Sequence, residues 1–314
     1  MISYQSYHLF LLLKIIIWNS LSRSFYSYFL YFFAAISIDS MNAGYFIRKK
    51  FVNAGMEIQN LFPDSLLLQN KKFKNLHAGQ RCFILGSGHS ILTHDLTKLS
   101  NEIVITQNHF HSHKDISIIH PKYHVVIPKF HPSEYDQDWV EWLVDMEKKL
   151  PADTTFFFGS NTQKLIESKT TLATRTYYIN TGFHAIGLNR AKVDITKRIM
   201  NVPTVITQCI TIALYMAFQE IYLVGFDLDQ ICRLAEGRDN VRFYGHSQIT
   251  RNEAEKNFEE SYGSSGFDFF NQYMIWRQLN LLKKYAGENQ IEIRNATHGG
   301  ILNVYPRVNY DSLF

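Results

Sequence analysis

The chain has 314 residues, a formal charge of +4 and an aromatic share of 15%. Such a length carries one large domain with a substantial core, and the balance of apolar and charged residues excludes a disordered chain. The mild charge, with no basic stripe interleaved with aromatics, excludes nucleic acid as the expected partner, and three scattered cysteines without a CxxC pair (Cys82, Cys209, Cys232) indicate neither a zinc site nor a disulfide framework.

Residues 1–40 form a hydrophobic N-terminal segment unlike the rest. His8 to Trp18 and Phe25 to Ile38 are apolar and aromatic, interrupted by Lys14 and Arg23. Neither run reaches the roughly 18–20 uninterrupted apolar residues of a spanning helix. Three readings stay open. The segment is an interfacial anchor with Arg48-Lys49-Lys50 on the cytoplasmic side; or a signal peptide lacking a clear cleavage site; or upstream sequence ahead of a natural start at Met41. The expected location is the cytoplasm, the default for so few cysteines, with association at the inner membrane surface under the first reading.

Residues 41–79 are expected to be a helical lead-in, amphipathic over 42–62 and turning at Gly79. Strands and helices then alternate. Cys82–Leu85 is a strand, with a short helix near Leu92–Leu99. Ile103–Thr106 and Tyr123–Ile127 are strands, and the spacing of Trp139, Trp142, Leu143 and Met146 predicts a helix over Glu134–Leu150. Strand Thr154–Phe158 precedes a helix over Asn161–Ser168, and Tyr177–Ile179 is a short strand. Thr204–Phe218 reads as a buried helix, Glu220–Val224 as a strand, Phe267–Tyr285 as a long helix and Ile291–Arg294 as the last strand. This alternation predicts an α/β domain over residues 80–314, a mostly parallel sheet with helices on both faces. Ligands of such sheets bind beyond the carboxyl ends of the strands. The rule nominates Gly86–Ser90, Asn108, Gly159-Ser160 and Gly225–Asp229.

The Gly86-Ser87-Gly88-His89-Ser90 turn follows the first strand. Glycines there allow a sharp turn and close approach to a ligand, and free N–H groups at a following helix start would favour a phosphate. Asn108 both donates and accepts, so it can read a base or ribose, or simply form a turn. Asp227 and Asp229 would point the same way if the segment stays extended, a pair able to hold Mg²⁺ beside a diphosphate. His246 lies in Phe243-Tyr244-Gly245-His246-Ser247 on an expected loop and is a candidate general base; Tyr244 could bind a phosphate oxygen. His109, His111 and His113 alternate, as metal ligands on a strand face or as a polar loop. The pair Gly299-Gly300 permits a tight turn against a ligand, and Arg307 offers a planar fork for a carboxylate or phosphate, or for a structural acid.

Taken together, Ile84 to Ile91, Asn108, Thr204 to Phe218 running into Glu220-Ile221-Tyr222-Leu223-Val224-Gly225-Phe226-Asp227, and Tyr244 to Ser247 resemble bacterial sialyltransferases of glycosyltransferase family 42. They equally resemble a broader group of surface-polysaccharide proteins related to the archaeal 6-hydroxymethylpterin diphosphokinase-like and flagellin-glycosylation families, whose ending is similar to Gly299–Val308. The resemblance implies a Rossmann-like fold and a transferase of lipopolysaccharide or capsule synthesis. It implies a CMP-sugar donor and a glycan acceptor, with the nucleotide held by Gly86, Gly88, Ser90 and Asn108, His246 as base, and Thr204 near the phosphate. No cofactor is required in that scheme. The family's turn usually reads Gly-Asn-Gly-Pro-Ser, so Ser87 and His89 depart from it. Asp229 stands where a phosphate-binding tyrosine is expected; an acid there fits a Mg²⁺-dependent diphosphokinase-like transferase. A non-catalytic envelope-glycan binding protein is the third expectation.

Overall fold

The computed structural model describes residues 43–127, 137–201, 204–229, 232, 242–244 and 264–314. The hydrophobic segment before Ala43 lies outside them. The chain divides into two compact units, ending and starting at Leu61 and Phe62. The described part of the first is helix α1 (Ala43–Gln59), close to the expected span. Among the described residues no helix is long and apolar enough to cross a membrane.

The second unit holds the sheet. Its strands are β1 (Arg81–Leu85), β2 (Val104–Gln107), β3 (Tyr123–Val126), β4 (Thr155–Gly159), β5 (Thr176–Ile179), β8 (Glu220–Val224) and β9 (Glu292–Asn295). They pair in the order β5-β4-β3-β2-β1-β8-β9, every pairing parallel. All four residues of β2 and of β3 are buried, as are the last four of β1, β4 and β8. Strands covered on both faces must read as continuous apolar runs, which is why they were visible in the sequence.

Alternate residues divide between the two faces. Phe83, Leu85, Val104, Val126, Phe156 and Phe158 join one core with Trp142, Leu143 and Met146 of α2 (Gln137–Lys149) and Leu165 and Ile166 of α3 (Gln163–Lys169). The other face is covered by α4 (Val205–Tyr215), which is buried along its whole length and packs on β1, β2 and β3. The long helix α5 (Ser264–Glu288) packs against α4 and β9. Helices on both faces of a parallel sheet make this a Rossmann-like α/β domain.

Two elements differ from expectation. The helix expected near Leu92–Leu99 is instead a pair of 3₁₀ turns, His89–Thr93 and Leu96–Leu99. Asp95 accepts from the Thr97 N–H and hydroxyl between them, which restarts the chain there. A small second sheet pairs β6 (Thr181–Phe183) with β7 (Ile199–Met200), strands too short to show a period.

The chain runs outward from β1 to β5, then returns to place β8 on the other side of β1. Connections therefore leave β1 and β8 in opposite directions, and the switch point falls between their tips.

Candidate functional site

The tips of β1 and β8 meet in direct contact. The Gly86 N–H donates to the Val224 carbonyl at 2.7 Å, and the Gly88 N–H to the Gly225 carbonyl at 2.9 Å. A methyl group on Gly88 would sit 2.6 Å from Asp227 Oδ2 and 2.7 Å from the Gly225 oxygen; one on Gly86 would collide with that same carbonyl. These glycines let two backbone segments approach each other. Approach of a ligand, the expected reason for them, is not what the described contacts use them for.

Asp227 completes this junction. It is buried, its Oδ2 accepts from the Ser90 N–H at 3.0 Å, and its Oδ1 accepts from the Ser90 hydroxyl. The amides of Gly86, Gly88 and Ser90, expected to be open to a phosphate, are thus bonded within the chain. No α-helix follows the turn, so the helix N-terminus that was to add its dipole is absent from this place.

The paired-carboxylate reading depended on an extended segment. Leu228 has φ +50°, in the left-handed region, so the backbone turns between Asp227 and Asp229 and the shared face is lost. Both Asp227 oxygens also carry bonds from Ser90. The two residues do not fit the Mg²⁺ pair. Among the described residues no cluster of three His, Cys, Asp or Glu side chains is arranged to hold a metal ion.

Arg307 is also placed otherwise than expected. Its Nη1 donates to the carbonyls of Thr297 at 3.1 Å and Gly299 at 2.6 Å, and its Nη2 to those of Gly300 at 2.8 Å and Leu302 at 3.3 Å. Four backbone acceptors of one loop meet the fork, so the guanidinium ties down its own loop. That loop lies on the β8 tip: the Ile301 N–H donates to the Asp227 carbonyl at 2.8 Å, and the Phe226 N–H to Thr297 Oγ1 at 3.0 Å. The backbone of Gly300 packs on that of Asp227.

The β2 tip is built differently. Asn108 has φ +46° and starts a 3₁₀ turn, Asn108–Ser112. His109, His111 and His113 lie on or just after that turn and are buried, so they are neither a strand face nor a polar loop. The His109 ring packs between Trp142 (4.7 Å) and Tyr244 (4.9 Å). Burial, then the neighbouring His111 and Arg242, push its pKa down to about 4. Burial also lowers His111 and His113.

Residues Arg242–Tyr244 cross the glycine turn. The Phe243 N–H donates to the Ser87 carbonyl at 3.1 Å, and Gly88 and Arg242 form an antiparallel bridge. Phe243 packs on Phe110 and His113, while Arg242 Nη1 donates to the Tyr244 hydroxyl at 3.1 Å. The structure thus brings Gly86–Ser90, Asn108, Asp227 and Tyr244 to one edge of the sheet. Thr204 precedes α4, whose far end lies five residues before β8 starts. Gly159-Ser160 ends β4 two strands beyond β2 and leads into α3. His246, with Gly245 and Ser247, lies outside the described residues.

The chain is similar in structure to the sialyltransferase CstII from Campylobacter jejuni. In its complex with cytidine-5'-monophosphate the identity is 14%, over 74% of this chain and 85% of that one, with a TM-score of 0.44. In its complex with CMP-3FNeuAc the values are 16%, 69%, 79% and 0.33. No family model and no curated protein matches the chain. Likeness at this level transfers no residue role to this chain.

Sequence reasoning missed Trp142 as the wall behind His109, and His124 beneath Asn108. The spacing of Trp142 marks only a helix, and His124 sits within an apolar strand where nothing marks it.

Proposed function

We propose that this protein is a glycosyltransferase of the sialyltransferase type, moving a sugar from a CMP-activated donor to a hydroxyl of a surface glycan of the lipopolysaccharide or capsule kind. The supporting observation is that Arg242–Tyr244 lies across the glycine turn and sets Tyr244 against the β2 tip beside Asn108. Tyr244 is two residues before His246 in the sequence, and His246 is the candidate base of this reading.

In this reading Asn108 binds the cytidine or its ribose with its side-chain amide, and the Tyr244 hydroxyl steadies the leaving phosphate. His246 takes the proton of the acceptor hydroxyl. The acceptor oxygen bonds to the anomeric carbon as the bond from that carbon to the phosphate oxygen breaks, and CMP leaves with the electron pair. The amides of Gly86, Gly88 and Ser90 have no part in holding the phosphate, because they are bonded within the chain.

The test is turnover of CMP-sialic acid on a glycan acceptor by the native chain and by His246→Ala. A loss of about 10²-fold or more in kcat is expected for a general base; unchanged turnover removes His246 from the role. A second reading, a binding protein without transfer, is favoured by the filled glycine turn. It predicts a thermal shift with CMP and no turnover by the native chain.

A further inference from the structure

The carbonyl of Asn108 faces two imidazoles. His124 Nε2 lies 3.0 Å from it and His111 Nδ1 3.1 Å. The other nitrogen of His111 lies 3.2 Å from Asp145 Oδ2, also an acceptor, so a neutral His111 can donate to only one of the two. His124 is the constant donor. It is fully buried on β3, and its Nδ1 lies 2.7 Å from the Thr106 hydroxyl. Burial keeps the ring neutral, so it carries one proton. Were that proton on Nδ1, the bare Nε2 would confront a carbonyl, two acceptors at 3.0 Å. The arrangement is satisfied with the proton on Nε2 and the Thr106 hydroxyl donating to Nδ1 at 2.7 Å in preference to the Tyr123 carbonyl at 3.4 Å.

This clamp holds an unusual backbone. Gln107 is extended at φ −146°, and Asn108 then turns to φ +46°. Asparagine tolerates the left-handed region, but such a conformation persists where its surroundings over-determine it. Among the described residues the Asn108 side-chain amide makes no hydrogen bond, while its carbonyl is held from below. Resting on the nucleotide role given to Asn108 above, we propose that His124 is a positioning residue of the nucleotide subsite: its Nε2–H anchors the Asn108 carbonyl and so aims the Asn108 amide at a bound cytidine nucleotide.

The experiment measures CMP affinity by calorimetry for the native full-length chain and for His124→Phe, His124→Gln, Asn108→Ala and the double variant His124→Phe/Asn108→Ala. A glutamine amide can place an N–H where Nε2 stood; a phenylalanine cannot. Loss of one such bond is expected to weaken CMP by about tenfold in His124→Phe. His124→Gln should stay within about threefold of native, and the double variant should bind no more weakly than Asn108→Ala alone, because the two act as one unit. Equal losses in the Gln and Phe variants, or losses that multiply in the double variant, overturn the proposal. If His124→Phe does not fold, His124→Met takes its place; it fills the buried site without an N–H, and unchanged CMP affinity there counts against the clamp. If the native chain binds no CMP, the nucleotide reading fails by itself, and the clamp is then decided by crystal structures of the free protein. Asn108 leaving the left-handed region in His124→Phe supports it, and φ held near +46° overturns it.

Discussion

Asp227, at the end of β8, grips both the N–H and the hydroxyl of Ser90, 137 residues earlier in the chain. The bond pair joins the turns after β1 and β8 across the switch point of the sheet. It also decides what the most conspicuous acidic residue of the chain does.

Asp227→Ala would strand a buried N–H and hydroxyl. Leaving a buried donor without its charged partner costs about 1–3 kcal/mol. The expected outcome is a lower midpoint in urea, by the same amount with Mg²⁺ and with EDTA. A loss seen only when Mg²⁺ is removed would restore the metal reading.

Gly88→Ala tests the same junction by overfilling it. The new methyl would meet Asp227 Oδ2 at 2.6 Å and backbone at 2.7 Å, and the backbone oxygen cannot move aside. Overpacking of this kind costs about 1–3 kcal/mol. Urea denaturation is the measurement, and a variant as stable as the native chain would show the tips can part.

Arg307→Lys separates a structural clamp from a phosphate ligand. Lysine cannot reproduce a fork that meets four carbonyls. Stability is expected to fall by about 1–2 kcal/mol, a hydrogen bond or two in net worth, while the folded variant binds CMP as the native chain does. Weaker CMP binding with unchanged stability would return Arg307 to the substrate.

His109 gives the protein a pH dependence of defined sign. Folded, burial holds its pKa at about 4; unfolded, the ordinary value is 6.5. Between those limits the unfolded chain binds the extra proton, so stability rises with pH. The contribution is fully present above about pH 6.5 and is lost as pH falls through 4, spanning about 3 kcal/mol for this residue. Burial shifts His111, His113 and His124 the same way. Stability measured from pH 7 to 4 should fall, and His109→Phe should flatten the slope. Equal slopes in the two proteins would show that His109 is already charged when folded.

Most of the sheet could be read from the chain. β1, β3, β4 and β8 lie within or beside the expected runs, because burial on both faces leaves a continuous apolar stretch that needs no tertiary information to see. β6 and β7 escaped because two or three residues carry no period. Nor did local pattern distinguish a helix from two 3₁₀ turns after Ser90, since Leu92, Leu96 and Leu99 fit either.

The site divides along the same line. Residue types and their order nominated Gly86–Ser90, Asn108, Asp227 and Tyr244, and a parallel α/β sheet necessarily gathers its strand tips at one edge. What each of those residues does there was a question of which partner the fold sets opposite it. Only the folded chain shows Asp227 on Ser90, Arg307 on its own loop, and His124 under Asn108. A side chain's role is set by the donor or acceptor opposite it, and those pairs span 137, 5 to 10 and 16 residues. The sequence by itself determined the longer strands of the sheet and the edge where their ends meet, because burial on both faces writes itself into an apolar run; tertiary contact alone decided which polar groups at that edge are engaged with one another, because those partners are set by the fold and not by local pattern.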